Sequence, residues 1–348
     1  MKRVWEKYFN LFCEFCCSTV YPMSKSKKNR RVLVTGGAGA IGINLVRRLV
    51  AEGYGVTVFS LPAKDLFRLE DIERDVELVK GDITNAEQVR DVVSRLKPHY
   101  VFHLASTTMA VSPVRHMEVN AIGTINLLEA LVETKPERFV YTGSAAVYGS
   151  GNSLREDAEF SPNTIFGAAK ASTSIIVRTY ADMYKLPTVE LRFFLPYGPW
   201  EHPNRLIPHI ILSALSGQDL PLTSGEQERD PTYIDDVIDA LILAATNPVT
   251  PGSIFNIGSG EAVTVRHIVE KTLELMGNPV KPEFGKVPTR ENEIMHMSAD
   301  IRAAREGLGW EPKHSLADGL QKTINWWKQN RDFADYMTKD GEMTGKKT

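Results

Sequence analysis

Cysteine is scarce. The 348-residue chain holds three, Cys13, Cys16 and Cys17, all within the first 17 residues, so the rest of the chain can form no disulfide. That usage fits a reducing, cytoplasmic compartment. Cys13 and Cys16 have CxxC spacing, but no second ligand pair follows, and no metal site is expected. An excess of charge of one sign is also missing. Lys and Arg number 41 against 43 Asp and Glu, a formal charge of −2, which gives no electrostatic case for nucleic acid or an acidic membrane. Long apolar runs are lacking too. The most apolar stretch, 206–215, is broken by His, Pro and Ser and is too short to span a bilayer. What remains, 43% hydrophobic and 24% charged residues, is the composition of a globular protein with one large domain or two intimate ones. No internal repeat or low-complexity linker divides it.

Residues 1–30 differ from the rest. An apolar segment over 9–21, behind Lys2, Arg3 and Lys7, imitates a signal peptide, but Glu14 interrupts it and no small-x-small cleavage site follows. Either the stretch is a disordered or docking extension or the true start is Met23, the favoured reading, and it is assigned no chemistry.

From Arg31 the chain alternates. Residues 31–35 are a β-branched run ending in glycines, which predicts a buried strand. A helix follows, with Ile41, Leu45, Val46, Leu49 and Val50 on one face and Gly53 past its end. Further strands are predicted over 56–60, 76–80, 100–105, 138–144 and 188–194. Helices are predicted from a Thr84–Glu87 capping box to Leu96, over 115–133 and over 166–184. Strands separated by helices of this length imply right-handed βαβ units and a parallel sheet, an α/β doubly wound, Rossmann-type domain over 31–195 with parts of 233–260. After Pro196 the rhythm loosens, with helices expected at 206–216, 233–247, 264–276 and 315–330. Residues 196–330 are read as mainly a smaller α/β substrate domain closing over the carboxyl edge of the sheet, and 331–348 as a polar tail.

The first strand-to-helix turn is Gly36-Gly-Ala-Gly39-Ala40-Ile41-Gly42. Glycine there permits a tight turn, close approach of a pyrophosphate and packing of helix on strand, with phosphates on the free N–H groups that open the helix. At this junction the motif predicts a dinucleotide site. An acid ending the second strand would bond a ribose 2′-hydroxyl and repel a 2′-phosphate. Ser60 stands there instead, with Lys64 and Arg68 soon after as phosphate partners or solvated helix charges. NAD is therefore expected with NADP left open. Asp82, in Gly81-Asp82-Ile83, could bond the adenine or simply shape a turn.

These residues carry a family resemblance. Thr35–Gly42, Gly81–Ile83, His103-Leu104-Ala105-Ser106, Asn120–Thr124, Ser144–Gly149, Phe166–Lys170, Arg192–Phe194, Tyr197–Pro199, Arg229-Asp230, Phe255–Gly258 and Leu308–Trp310 fall in the order seen in the extended short-chain dehydrogenase/reductases that modify nucleotide sugars. The chain resembles that family from residue 31 to about 328. The resemblance implies a cofactor held by Gly36, Gly39, Ala40, Ile41, Gly42, Ser60, Asp82, Ile83, Leu104, Ala105, Ser106, Asn120 and Lys170. It also implies a catalytic Ser144, a tyrosine position at 166 and a lysine at 170. Spacing of i,i+4 puts the last two on one helix face, where an ammonium favours a phenolate. Here the tyrosine position is Phe166, which has no proton to exchange. Phe166 is an introduced substitution, or a natural one with Ser144 or a water moving the proton, or the mark of a protein that only binds.

The same resemblance narrows the reaction. Family dehydratases carry an Asp-Glu pair directly after the hydroxyl residue, as acid and base for removing water, whereas this chain has Ala145 and Ala146. Small residues there are similar to the 4-epimerases, in which hydride leaves a sugar carbon and returns to the other face of the keto-sugar. Ser144, Ala145, Arg229 and Arg290 would contact a nucleotide-diphosphate sugar, the arginines through its phosphates. Glu291-Asn292-Glu293 replaces the usual Gly-Asp after Arg290, which makes Arg290 the weaker of the two. Leu195 replaces an asparagine, which argues for an unusual sugar or against a plain UDP-galactose 4-epimerase. His103 is expected beside the cofactor as a structural residue, and His202 is a loop residue of no assigned use. The resemblance further implies a homodimer through the helices at 115–133 and 166–184. The expectation is an NAD(P)-dependent nucleotide-sugar 4-epimerase. A nucleotide-4-keto-sugar reductase, a dehydratase and a catalytically silent cofactor- or nucleotide-sugar-binding protein stand as alternatives.

Overall fold

A computed structural model describes residues 27–62, 64–107 and 111–338. Cys13, Cys16, most of the N-terminal extension and residues 339–348 lie outside the described residues. Seven parallel strands form the central sheet: β1 (Arg31–Thr35), β2 (Gly55–Ser60), β3 (Val76–Lys80), β4 (Tyr100–His103), β5 (Arg138–Ser144), β6 (Thr188–Phe193) and β7 (Ser253–Ile257). Their order is β7-β6-β5-β4-β1-β2-β3. The order reverses between β1 and β4, and a doubly wound sheet opens a crevice at that reversal, beyond the carboxyl ends of its strands.

The central strands read as apolar runs because both faces of the sheet are covered there, whereas edge strand β3 leaves Glu77, Leu78 and Lys80 exposed. Side chains alternate across β1: Val32 and Val34 join one core with Ile43, Val46, Val237 and Leu241, while Leu33 joins a second with Val101, Leu127, Leu131 and Phe139. A third, smaller core gathers Ile210, Leu220, Val265, Val269 and Leu273 around the helices Leu206–Ser216 and Val265–Leu275. Short strand pairs hold this second half against the sheet: Leu195–Tyr197 with Pro231–Tyr233, and Gly151–Leu154 with Met297–Ala299.

Several boundaries differ from the sequence reading. The helix Ala86–Leu96 is capped by Asn85, whose side chain accepts from the Gln88 N–H, and not by Thr84. Strand β4 stops at His103. Residues 27–30, read as part of a loose extension, are tied down: Lys27 Nζ lies 2.7 Å from Glu52 and 4.9 Å above the Tyr54 ring. Residues 331–338, read as the start of a polar tail, form a helix whose Phe333 is buried against Trp326, Trp327 and Trp200. Among the described residues no helix is long and apolar enough to cross a membrane.

Candidate active site

Gly36, at the end of β1, has φ +68°, and a Cβ there would lie 2.7 Å from the Ala105 nitrogen. A Cβ on Gly42 would lie 2.3 Å from the Gly36 carbonyl oxygen. Glycine at both positions lets the Ala40–Ala51 helix start directly against β1 and the segment after β4. Gly39 caps that helix without a side-chain bond, which leaves the amides of its first turn, at Ala40, Ile41 and Gly42, as hydrogen-bond donors at the positive end of the helix dipole. A diphosphate fits such a cradle, and a larger residue at 36 or 42 would fill it.

The remaining expected cofactor residues lie at the same edge. Leu104 and Ala105 donate their N–H groups to the Thr35 carbonyl and hydroxyl, at 3.1 and 3.3 Å. Ser106 Oγ donates to Asn120 Oδ1 at 2.6 Å. Asn120 lies on a π-helical turn, Glu118–Ile122, whose loosened ladder frees its carbonyl to accept the Thr124 and Thr173 hydroxyls. Ser60 ends β2 half-buried. Asp82 accepts from the Thr84 N–H at 2.9 Å and meets Arg115 at 3.2 Å. Burial pushes its carboxyl up, but those bonds prevail and hold it below the usual range. Ile83 is a buried side chain packed on Gly123.

Arg68 corrects the sequence reading. It is neither a solvated charge nor turned toward a ribose phosphate: it is buried, donates to the Ala38 carbonyl at 2.9 Å and stacks over Phe333 at 5.3 Å, bracing the glycine turn from behind. The Lys64 side chain lies outside what the structure describes.

Strand β5 delivers Ser144, whose Oγ accepts from the Ala146 N–H at 3.2 Å. The Ile165–Tyr184 helix starts against that turn: Thr164 caps it by accepting from the Gly167 N–H, and a Cβ on Gly167 would lie 2.5 Å from the Ala146 carbonyl oxygen. Glycine at 167 thus lets the helix carrying Phe166 and Lys170 close on Ser144. Lys170 is buried, its Nζ donating to the Thr142 carbonyl at 2.8 Å and lying 4.9 Å over the Tyr141 ring. The Phe166 ring centroid lies 6.0 Å from Lys170 Nζ and 6.2 Å from that of the His116 ring, which it meets edge-on. His103, behind them, is fully buried between the Thr35 and Thr124 hydroxyls at 2.6 and 2.9 Å. Burial, with Lys170 nearby, lowers it to about 3, so it is a neutral core residue.

Burial pulls the Lys170 ammonium down to about 8, against a smaller upward pull from Glu190. The unfolded lysine titrates near 10.4, so between about pH 8 and 10 the unfolded chain holds a proton that the folded chain lacks. The stability contribution of Lys170 therefore rises with pH through that window and is smallest below pH 8. Urea unfolding of wild type and Lys170→Met should show their difference shifting toward wild type by about 2 kcal/mol from pH 7 to 9.5. An unchanged difference would mean that the ammonium stays solvated.

Of the two expected phosphate-gripping arginines, Arg229 is half-buried and already engaged. It donates to the Glu228 and Ile294 carbonyls at 2.7 and 2.6 Å and pairs with Glu293. Arg290 is exposed, and its carbonyl accepts from the Glu293 N–H at 3.1 Å, closing the turn that brings Glu293 to Arg229. His202 shapes its loop by accepting from the Asn204 N–H. Sequence spacing gave no sign of Glu293 on Arg229 or of His116 on Phe166, because both contacts are made across the fold.

Residues 32–258 match the NAD dependent epimerase/dehydratase family. The chain belongs to that family. It is 32% identical over 313 residues to the UDP-glucose 4-epimerase of Mycolicibacterium smegmatis, covering 86% of this chain and 98% of that one. Among solved structures, dTDP-glucose 4,6-dehydratase from Bacillus anthracis in complex with NAD superposes with a TM-score of 0.82 at 27% identity, over 88% of this chain and 99% of that one. UDP-glucose 4-epimerase from Thermotoga maritima with UDP-glucose superposes at 0.81 with 30% identity, over 86% and 99%. This epimerase/dehydratase chain thus has relatives among both the epimerases and the dehydratases.

Proposed function

We propose that this chain is an NAD-dependent 4-epimerase of nucleotide-diphosphate sugars. The observation that carries the reading is Ser144 and Lys170 set around one turn whose next residues are Ala145 and Ala146. Removing water needs an acid and a base over the sugar, and two methyl groups supply neither. A reversible hydride exchange needs only an oriented hydroxyl and a proton carrier.

In this reading the glycine turn and the Ala40–Gly42 amides hold the pyrophosphate of NAD, Ser60, Asp82 and Ile83 its adenosine end, and Leu104, Ala105, Ser106, Asn120 and Lys170 the other. Bound nicotinamide supplies a carbon that takes a hydride and gives it back. Ser144 holds the sugar hydroxyl, and the Lys170 charge favours negative charge growing on that oxygen. Arg229 grips the diphosphate once Glu293 yields it. Phe166 favours one rival, a protein that binds nucleotide sugar without turnover.

Product analysis by NMR and mass spectrometry, with NAD and each of UDP-glucose, UDP-N-acetylglucosamine, UDP-glucuronic acid and dTDP-glucose, tests the reading. The expected product is a C4 epimer of unchanged mass, formed without net change in NADH. A product lighter by one water would replace the reading with dehydration, and net NADH consumption on a keto-sugar would replace it with reduction.

A homodimer belongs to the same reading. Val114, Met117, Ile122, Ile175 and Met183 are 66, 39, 48, 58 and 66% exposed, and all lie along the helical elements spanning 113–134 and 165–184. Apolar side chains gathered on two adjacent helices favour a partner surface, and a second copy offers the same one. Light scattering is expected to give a dimer for wild type and a monomer for Ile175→Asp. A monomeric wild type at micromolar concentration would remove this part of the reading.

A further inference from the structure

Phe166 leaves the site without the phenol that would exchange the sugar's proton, yet a titratable ring stands against it. His116 packs edge-on to Phe166 with 6.2 Å between ring centroids. Its Nδ1 lies 2.9 Å from Thr107 Oγ1, and that hydroxyl accepts from Asn120 Nδ2 at 3.1 Å. Asn120 Nδ2 also donates to the His116 carbonyl at 2.9 Å, while its Oδ1 accepts from Ser106. The imidazole is thus held by Thr107, which Asn120 and, through it, Ser106 position. A hydroxyl can donate to a bare Nδ1 or accept from a protonated one, so the Thr107 contact accommodates both tautomers and the doubly protonated ring. Nε2 has no hydrogen-bond partner among the described residues. The residue is buried, 8% exposed.

We propose that His116 is the proton carrier that replaces the missing phenol, an inference that rests on the epimerase reading above. With NAD bound, its nicotinamide would take the C4 hydrogen with its electron pair and later return it to the opposite face of the carbon. His116 Nε2 would take the hydroxyl proton as C–O becomes C=O and give it back to the oxygen on return. Neither proton nor electrons are gained or lost over the cycle. Phe166 packs against the imidazole, and Lys170, whose Nζ lies 6.0 Å from the Phe166 ring centroid, supplies the positive charge that the oxygen needs.

The test compares wild type, His116→Asn, His116→Phe, Phe166→Tyr and each His116 variant combined with Phe166→Tyr, on the four nucleotide sugars with NAD. Asparagine keeps a polar atom for Thr107, and phenylalanine keeps a ring against Phe166. General acid–base catalysis contributes about 10²–10⁴-fold, so both single variants should lose kcat by that order while Kd for NAD and for nucleotide sugar stays within about threefold. Adding Phe166→Tyr should restore turnover. Retained kcat in His116→Asn, or a loss that comes with weakened binding or that tyrosine does not repair, would make His116 structural and leave the epimerase reading standing. A silent wild type beside an active Phe166→Tyr would overturn both the role of His116 and the epimerase reading of this chain. Binding without turnover in every variant would overturn both.

Discussion

Gly42→Val is expected to raise the Kd for NAD by at least about a hundredfold, roughly 3 kcal/mol, and to lower the unfolding free energy as well. The reason is geometric. A Cβ at 42 would sit 2.3 Å from the Gly36 carbonyl oxygen and 2.7 Å from the Gly37 Cα, and neither is a side chain that can rotate aside. The Ala40–Ala51 helix would have to lift from β1, carrying its opening amides away from a bound diphosphate. Gly39→Ala separates the two effects. Its Cβ would meet only the Gly36 oxygen at 3.2 Å, and its φ of −70° suits alanine, so the fold should hold while NAD binding weakens. Titration calorimetry and urea unfolding of both variants measure this, and unchanged NAD affinity in Gly42→Val would remove the glycine turn from the cofactor site.

Ser144→Ala is expected to lower kcat by about 10²–10³ while leaving NAD affinity within about threefold, the range for removing one oriented donor at a reacting oxygen. Ser144 ends β5 with extended backbone, φ −153° and ψ 144°, and its Oγ is held by the Ala146 N–H. That bond fixes the hydroxyl without consuming its proton, which remains available to a sugar oxygen. Alanine removes the hydroxyl and nothing from the core, since Ser144 is only half-buried. Steady-state kinetics should show the loss in kcat rather than in KM. A variant with wild-type kcat would mean that Ser144 does not touch the reacting oxygen.

What the sequence made legible was local. Strands β1 to β6 and the helices between them were readable because each buried run alternates with a helix-period face, and the glycine turn because glycine is required at one junction. Exact caps were less so: Thr84 and Asn85 are adjacent and both able to cap, and only the backbone decides. The helix Arg331–Thr338 is too short to be marked by its own periodicity and owes its place to Phe333 among Trp200, Trp326 and Trp327. Arg68 reads as a surface charge until Ala38 and Phe333 close around it. In the site, Ser144 and Lys170 were legible through their motifs. Glu293 on Arg229 and His116 on Phe166 join segments far apart in the chain, and no spacing rule carries such a contact.

The most direct test of the epimerase reading is to give the protein, with NAD, a nucleotide sugar deuterated at C4 and to locate the label in the product. Epimerisation within one site predicts a C4 epimer that keeps its deuterium at C4, with no net reduced cofactor. Deuterium on released NADH, a dehydrated product, or recovery of unchanged sugar beside tightly bound NAD would contradict it.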